Sequence, residues 1–178
     1  MLKTIPVTDQ FVDIAKIETL ALEAFPPEEY LSPATMIQMS KDDGFDLWAL
    51  YDEEAFVGFM TVMTHKELAY LFFLAIENNC RSKGYGAKAL QVLQTIYPGK
   101  KQIVDLEKLD DLAANKSQRE KRRLFYLRNG YRPTGHFLSY LGVDYEVLCA
   151  DDDFDFEMFQ ELMMQIKIQG FVPHYFTE

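Results

Sequence analysis

The chain has 178 residues, 48% hydrophobic and 14% aromatic, enough apolar matter for one folded core and too much for a disordered segment. A formal net charge of −10 argues against general binding to nucleic acid or to an anionic membrane surface. No apolar run reaches the ~18–20 residues of a membrane span. There is no basic stretch followed by an apolar core to read as an export signal, and Cys80 and Cys149 have neither zinc nor redox spacing. A cytoplasmic protein with reduced thiols and no metal-ligand cluster is the expectation.

In chain order, Thr8 or Asp9 is predicted to cap a helix whose apolar positions are Phe11, Ile14, Ile17, Ala21 and Phe25. Pro26-Pro27 ends it, because proline offers no N–H and disfavours helix in the residue before it. Ser32-Pro33 starts a second, short helix to about Ser40, and Lys41-Asp42-Asp43-Gly44 is a turn. Asp46 to Asp52 and Phe56 to Thr64 read as a hairpin, and Leu68 to Ile76 as a buried strand. A helix from Ala87 to Tyr97 is broken by Pro98-Gly99, and a short strand runs from Gln102 to Leu106. Ser117-Gln118-Arg119-Glu120 has the form of a capping box, opening a helix that stops at Asn129-Gly130. Gly135 to Tyr140 and Asp144 to Cys149 form a last hairpin about Gly142. Beyond residue 150, Asp151-Asp152-Asp153 precedes Phe154, Phe156, Met158, Phe159, Leu162, Met163 and Ile166, an acid-capped amphipathic helix. Such a stripe usually marks packing on a core, although its methionines could also serve a homodimer surface. The expected organisation is one domain over residues 1–150 with a helical extension, 151–178, packed on it.

The richest segment is Arg81-Ser82-Lys83-Gly84-Tyr85-Gly86-Ala87. It lies between a buried strand and the apolar face Ala87, Leu90, Leu93, Ile96. A strand, a glycine turn and a helix N-terminus present unpaired N–H donors and a partial positive charge, a natural seat for phosphate. Arg81 and Lys83 add fixed charge. Read as Gly84-x-Gly86-x-x-Ala89, with Asp105 or Glu107 following, the turn also fits a degenerate dinucleotide fingerprint. That Rossmann-type reading would require the turn to follow the first strand of a βαβ series, whereas at least two strands precede it.

The other reading is Arg/Gln-x-x-Gly-x-Gly/Ala, met by Arg81, Gly84 and Gly86, and it resembles the acyl-CoA-binding motif of the GNAT superfamily of N-acetyltransferases. Phe125-Tyr126-Leu127-Arg128-Asn129-Gly130-Tyr131 is similar to that superfamily's Phe-Tyr-x-x-x-Gly-Phe/Tyr signature, and the resemblance covers roughly Phe45 to Cys149. It implies an α+β fold: a mixed, mostly antiparallel twisted sheet flanked by helices, here with an extra C-terminal helix. It implies acetyl-CoA as acyl donor, no metal, and a small-molecule primary amine as acceptor. By the same resemblance, main-chain groups of Leu74, Ala75 and Ile76 align the pantetheine arm. Ser82, Lys83, Gly84, Tyr85, Gly86 and Ala87 with Arg81 hold the phosphates, and Asn115 touches the CoA arm.

Tyr126 stands where many relatives place a general acid. A phenol near pKa ~10 stays protonated at neutral pH and can donate to a leaving thiolate. Glu107 is the candidate general base, with a solvated carboxylate in the acidic run Asp105–Asp111 as the competing reading. His65 is a lone histidine at a strand end, and Arg119, Lys121, Arg122 and Arg123 form a basic helix face. A GNAT-like module that binds acyl-CoA without catalysis, as a sensor or interaction domain, is the alternative from another functional class.

Overall fold

The computed structural model describes all residues, 1–178. Eight strands hydrogen-bond in the order β1-β2-β3-β4-β5-β7-β6-β8. They are β1 (Lys3–Pro6), β2 (Phe45–Asp52), β3 (Ala55–His65), β4 (Leu68–Ile76), β5 (Lys101–Glu107), β6 (Arg132–Tyr140), β7 (Val143–Cys149) and β8 (His174–Thr177). The helices are α1 (Ile14–Ala24), α2 (Pro33–Met39), α3 (Tyr85–Ile96), α4 (Lys116–Arg128) and α5 (Phe156–Met163). Antiparallel pairing joins β1–β2, β2–β3, β5–β7, β6–β7 and β6–β8, while β4 and β5 run parallel. This is a mixed, mostly antiparallel α+β sheet, and it overturns the dinucleotide-binding alternative, which needs parallel strands wound from βαβ units. No helix is long and apolar enough to cross a membrane.

The chain divides into two compact units, one formed by Met1–Thr64 with Leu71–Gly99, the other by His65–Tyr70 with Lys100–Glu178. In the first, α1 and α2 bury Ile17, Leu20, Ala21, Met36 and Ile37 against Leu47, Ala49, Tyr51, Phe59, Phe73 and Ala75. Each fully buried side chain of this size contributes about 1.5–3 kcal/mol. The opposite face of β2 receives α3: Trp48 Nε1 donates to the Tyr97 hydroxyl at 2.9 Å, and Tyr97 donates to Asp46 at 2.5 Å. α1 ends before Phe25, which is extended (φ −119°, ψ 139°), as a residue preceding proline should be. It starts at Ile14, later than the predicted cap at Thr8 or Asp9, because Thr8 closes a separate turn with Phe11. Asp13 occupies the cap position, but its carboxylate is taken by the Tyr51 hydroxyl at 2.6 Å and by Lys16. α2 forms as predicted, with Ser32 Oγ accepting from Thr35 N at 3.1 Å and Pro33 at the first position.

In the second unit, strand alternation separates two faces. Gln102, Val104 and Leu106 of β5 share one with Glu146 and Leu148 of β7; Ile103 and Asp105 share the other with Cys149 and Val147. α4 packs on the first, tied there by Arg123 to Glu146 (2.7 and 3.1 Å) and by the Tyr131 hydroxyl to Gln102 (2.9 Å). α5 lies on the second, where the Phe159 ring meets Tyr70 edge-on at 5.9 Å. Phe159, Leu162, Met163 and Ile166 are buried, so the apolar stripe of the tail packs as a core element. The helix is shorter than the stripe: Asp155 caps it through a 2.9 Å bond from Met158 N, and it ends at Met163. β1 and β8 were not anticipated. Each is a four-residue edge strand, too short to show an alternation.

Candidate functional site

β4 runs from Leu68 to Ile76, and nearly every side chain on both its faces is buried or half-buried. Its second half, from Leu71, belongs to the first unit. Gly58 of β3 permits the closeness of its neighbour: a Cβ there would lie 2.2 Å from the Ala75 carbonyl oxygen. Glu77 N also donates to Val57 O at 2.9 Å. The chain leaves β4 through a single 3-10 turn, Asn78–Cys80. Ser82 (φ 59°) and Gly84 (φ 82°) are then both in the left-handed region. Gly84 is the N-cap of α3, and its conformation, free to a residue without Cβ, turns the chain straight into the helix. α3 therefore begins at Tyr85, two residues before the predicted start. Its first-turn donors, Tyr85, Gly86 and Ala87, have no intrahelical acceptor, and the first closed bond is Lys88 N to Gly84 O at 3.0 Å.

Arg81 Nε donates to the Ile76 carbonyl at 3.0 Å, which joins the loop to the end of β4. Sequence reasoning placed Arg81 only as a phosphate ligand, and no residue pattern signals the second contact. The Tyr85 hydroxyl donates to Asp52 at 2.6 Å, which raises the phenol's pKa, and Lys88 sits 4.7 Å above the Tyr85 ring. Lys83 is exposed. The seven residues Arg81 to Ala87 and the strand end Leu74 to Ile76 thus stand within one unit, linked by Arg81.

In the second unit, Glu107 ends β5 with its side chain 10% exposed. Asn115 Nδ2 donates to both its oxygens (3.2 and 3.1 Å), Arg122 donates at 3.1 Å, and an Arg119 guanidinium nitrogen lies 3.7 Å away. Arg119 in turn donates from Nε to Asn115 Oδ1 at 2.8 Å and from Nη1 to the Lys108 carbonyl at 2.8 Å. Glu107 is the hub of a brace between β5 and α4, so proton abstraction would have to compete with two donors, Asn115 and Arg122, already hydrogen-bonded to its oxygens. The brace also corrects the predicted cap of α4. Asn115, not Ser117, holds the N-cap position, and its amide is drawn sideways by Glu107 and Arg119, so no side-chain cap bond forms. Both ends of the Asn115 amide are engaged within the protein, and so is the Arg119 part of the basic face. His65 is not solitary: Glu161 lies 2.8 Å from Nε2 and Gln165 2.7 Å from Nδ1, both from the α5 segment.

Tyr126 lies near the end of α4, its ring edge-on to Phe125 at 5.0 Å and to Tyr131 at 5.3 Å. The helix stops as the sequence indicated: Gly130 N bonds to Leu127 O and Tyr131 N to Tyr126 O, satisfying the terminal carbonyls. Burial pushes the Tyr126 phenol up to about 12; Arg122 pulls the other way and Asp105 adds to the rise. The residue is 8% exposed.

Two comparisons address what this arrangement belongs to. Residues 43–133 match the family model of the acetyltransferase (GNAT) domain, which takes in both the glycine turn and the Tyr126 signature. Among solved structures, a GNAT-family acetyltransferase from Bacteroides thetaiotaomicron superposes with a TM-score of 0.68 at 22% identity, over 89% of this chain and 92% of that one. An aminoglycoside 6′-N-acetyltransferase complexed with coenzyme A gives 0.65 at 15% identity, over 86% and 99%. The ribosomal-protein-S18-alanine N-acetyltransferase of Escherichia coli gives 0.59 at 16%, over 88% and 100%. No curated protein sequence matches the chain significantly. The family model covers half of the sequence, the superpositions extend the same fold across most of the rest, and the chain belongs to the GNAT acetyltransferase family.

Proposed function

We propose that this protein transfers the acetyl group of acetyl-CoA to a primary amine of a small molecule, with Tyr126 as general acid. The amine lone pair attacks the thioester carbonyl carbon, the C–S bond breaks, and the nitrogen gives up a proton to water. The departing thiolate takes the phenolic proton of Tyr126, which is restored from solvent. The Arg81–Ala87 turn holds the pyrophosphate through first-turn N–H groups, and main-chain groups of Leu74–Ile76 align the pantetheine arm and carbonyl.

The observation that carries this reading is Tyr126 itself. It sits in the family-matched segment, near the end of α4 and just ahead of the Asn129-Gly130 stop, at the tyrosine position of the Phe-Tyr-x-x-x-Gly-Tyr signature. Glu107 serves in this reading as the anchor of α4, and water accepts the amine proton, because the Glu107 oxygens already hold Asn115 and Arg122. The test is a thermal-shift comparison of CoA, acetyl-CoA and NAD, followed by thiol release from acetyl-CoA across a panel of primary amines. A ligand at one hundred times its dissociation constant adds about 2.7 kcal/mol of stability. No shift with millimolar CoA, or a larger one with NAD, defeats the reading.

A further inference from the structure

β2 presents alternate residues to its two sides, and Asp46, Trp48 and Asp52 stand on the side that receives α3. Both ends of α3 are tied to that strand by the same kind of bond. At the N-terminal end the hydroxyl of Tyr85, the first helical residue, donates to Asp52 Oδ2 at 2.6 Å. At the C-terminal end the hydroxyl of Tyr97, the C-cap, donates to Asp46 Oδ2 at 2.5 Å. The two spans match: the helix rises about 18 Å from Tyr85 to Tyr97, and the strand advances about 20 Å from Asp46 to Asp52. A helix pinned at both ends has little freedom to slide along its axis. The glycine turn that leads into it has few other supports. Arg81, Ser82, Lys83 and Gly84 are exposed, and a Cβ on Gly84 would meet nothing within 4 Å. Arg81 ties the turn to the end of β4, and Tyr85 ties it to the end of β2. Lys88, 4.7 Å above the Tyr85 ring, covers one face of that ring. Asp52 is also an acid beside a seat for an anion, followed by Glu53 and Glu54 in the turn between β2 and β3. Its charge alone opposes phosphate binding, so what it contributes to the seat is geometry and not attraction.

We propose that Asp52, acting through Tyr85, is a positioning residue for the pyrophosphate of acetyl-CoA: the pair fixes the N-terminal end of α3, and with it the Tyr85, Gly86 and Ala87 N–H groups that receive the phosphates. The inference rests on the acetyl-transfer reading and goes beyond it, because it gives the end of β2, outside the glycine motif, a part in ligand binding. Without the pair, the first turn of α3 has to be ordered by the ligand, which lowers affinity. Asp52 touches no substrate, and no proton moves at it.

CoA is titrated calorimetrically into wild type, Tyr85→Phe and Asp52→Asn. Tyr85→Phe keeps the ring and its contact with Lys88 and removes only the bond to Asp52. It should weaken CoA about tenfold, the low end for a hydrogen bond to a charged group, while thermal melting without ligand stays cooperative. Asp52→Asn removes the charge and keeps an oxygen that can accept from the phenol. It should bind CoA at least as tightly as wild type, since the opposing charge is gone and the anchor remains. In the thiol-release assay, Tyr85→Phe should raise KM for acetyl-CoA about tenfold and leave KM for the amine as in wild type, a split that general loosening of the fold would not produce. CoA affinity within about twofold of wild type in Tyr85→Phe, against the loss expected for such a bond, or a comparable weakening in Asp52→Asn, overturns the proposal and leaves acetyl-CoA binding standing. Wild type that binds no CoA at millimolar concentration overturns the acetyl-transfer reading and this inference with it. Weakened CoA binding in Tyr85→Phe alone, without thiol release from any amine, upholds the positioning pair and overturns acetyl transfer.

Discussion

Replacing Gly58 by alanine should destabilise the protein through a single contact. The added Cβ would stand 2.2 Å from the Ala75 carbonyl oxygen and 3.2 Å from both Ala75 C and Ile76 Cα. Carbon–oxygen contacts across a sheet settle at about 3.3–3.6 Å, so β3 and β4 would have to separate by roughly 1 Å. Every atom in the clash is main chain, and no rotamer change relieves it. Overpacking of this kind costs about 1–3 kcal/mol, and the reduced freedom of the unfolded chain returns about 0.4–1 kcal/mol. The net loss centres on about 1.3 kcal/mol, which for a chain of this length lowers Tm by about 3–5 °C. Differential scanning calorimetry gives the stability change, and titration with CoA gives a second readout, because the displaced atoms belong to the strand end assigned to the pantetheine arm. CoA affinity should fall with Tm. A variant that melts at or above wild type, with CoA affinity intact, would refute the close approach of these strands as the reason for glycine at this position.

Tyr126→Phe keeps the ring and removes only the acid; kcat should drop by about 10²–10⁴ with CoA affinity unchanged, and a drop below about threefold removes Tyr126 from the mechanism. Gly86→Val should abolish the CoA-induced thermal shift while the fold still melts cooperatively, because a branched side chain in the first turn of α3 obstructs its donors; retained CoA affinity means the turn has been misread. Arg123→Ala leaves Glu146, 9% exposed, without its guanidinium and should cost toward the lower end of about 3–5 kcal/mol in urea unfolding. Burial raises the phenols of Tyr70, Tyr126, Tyr131 and Tyr140, so the folded state favours their protonated form. Stability from this source is complete below the ordinary tyrosine pKa of ~10 and is lost as pH climbs beyond it. Thermal melts should be flat from pH 8 to 9 and fall steeply between pH 10 and 11; a melting temperature unchanged through pH 11 would contradict that assignment.

The features legible in the sequence were those written in local chemistry. Strand β4 announced itself as an unbroken apolar run, and the end of α4 as Asn129-Gly130. The cap of α2 followed from Ser32-Pro33. Misreadings arose where a distant partner outbid a local one. Asn115 gives its amide to Glu107 and Arg119, so the Ser117–Glu120 box never forms, and Asp13 serves Tyr51 before its own helix. The hydrogen bonds of Tyr70 and Tyr140 to Asp105 were invisible for a related reason. Tyr70, Asp105 and Tyr140 are 35 residues apart in each step, and only the register of β4, β5 and their neighbours brings them together. β1 and β8 carry too few residues to declare a period, and Pro6 within β1 argues against a strand until its edge position is known.

In the proposed acetyl-CoA site, Arg81 bears on the cost of ligand capture. Its Nε donates to the Ile76 carbonyl, which favours one arrangement of this exposed side chain before a ligand arrives. Immobilising such a side chain on association ordinarily costs about 0.5–1.5 kcal/mol; the hydrogen bond to Ile76 offsets part of that cost. The guanidinium divides the work geometrically, with one N–H facing the strand and the terminal pair left over for an anion. A lysine has a single point of charge and cannot make that division. Preorganisation of this kind leaves affinity to be tuned by the ligand's own flexibility and lets the loop and the strand end respond to it as one body.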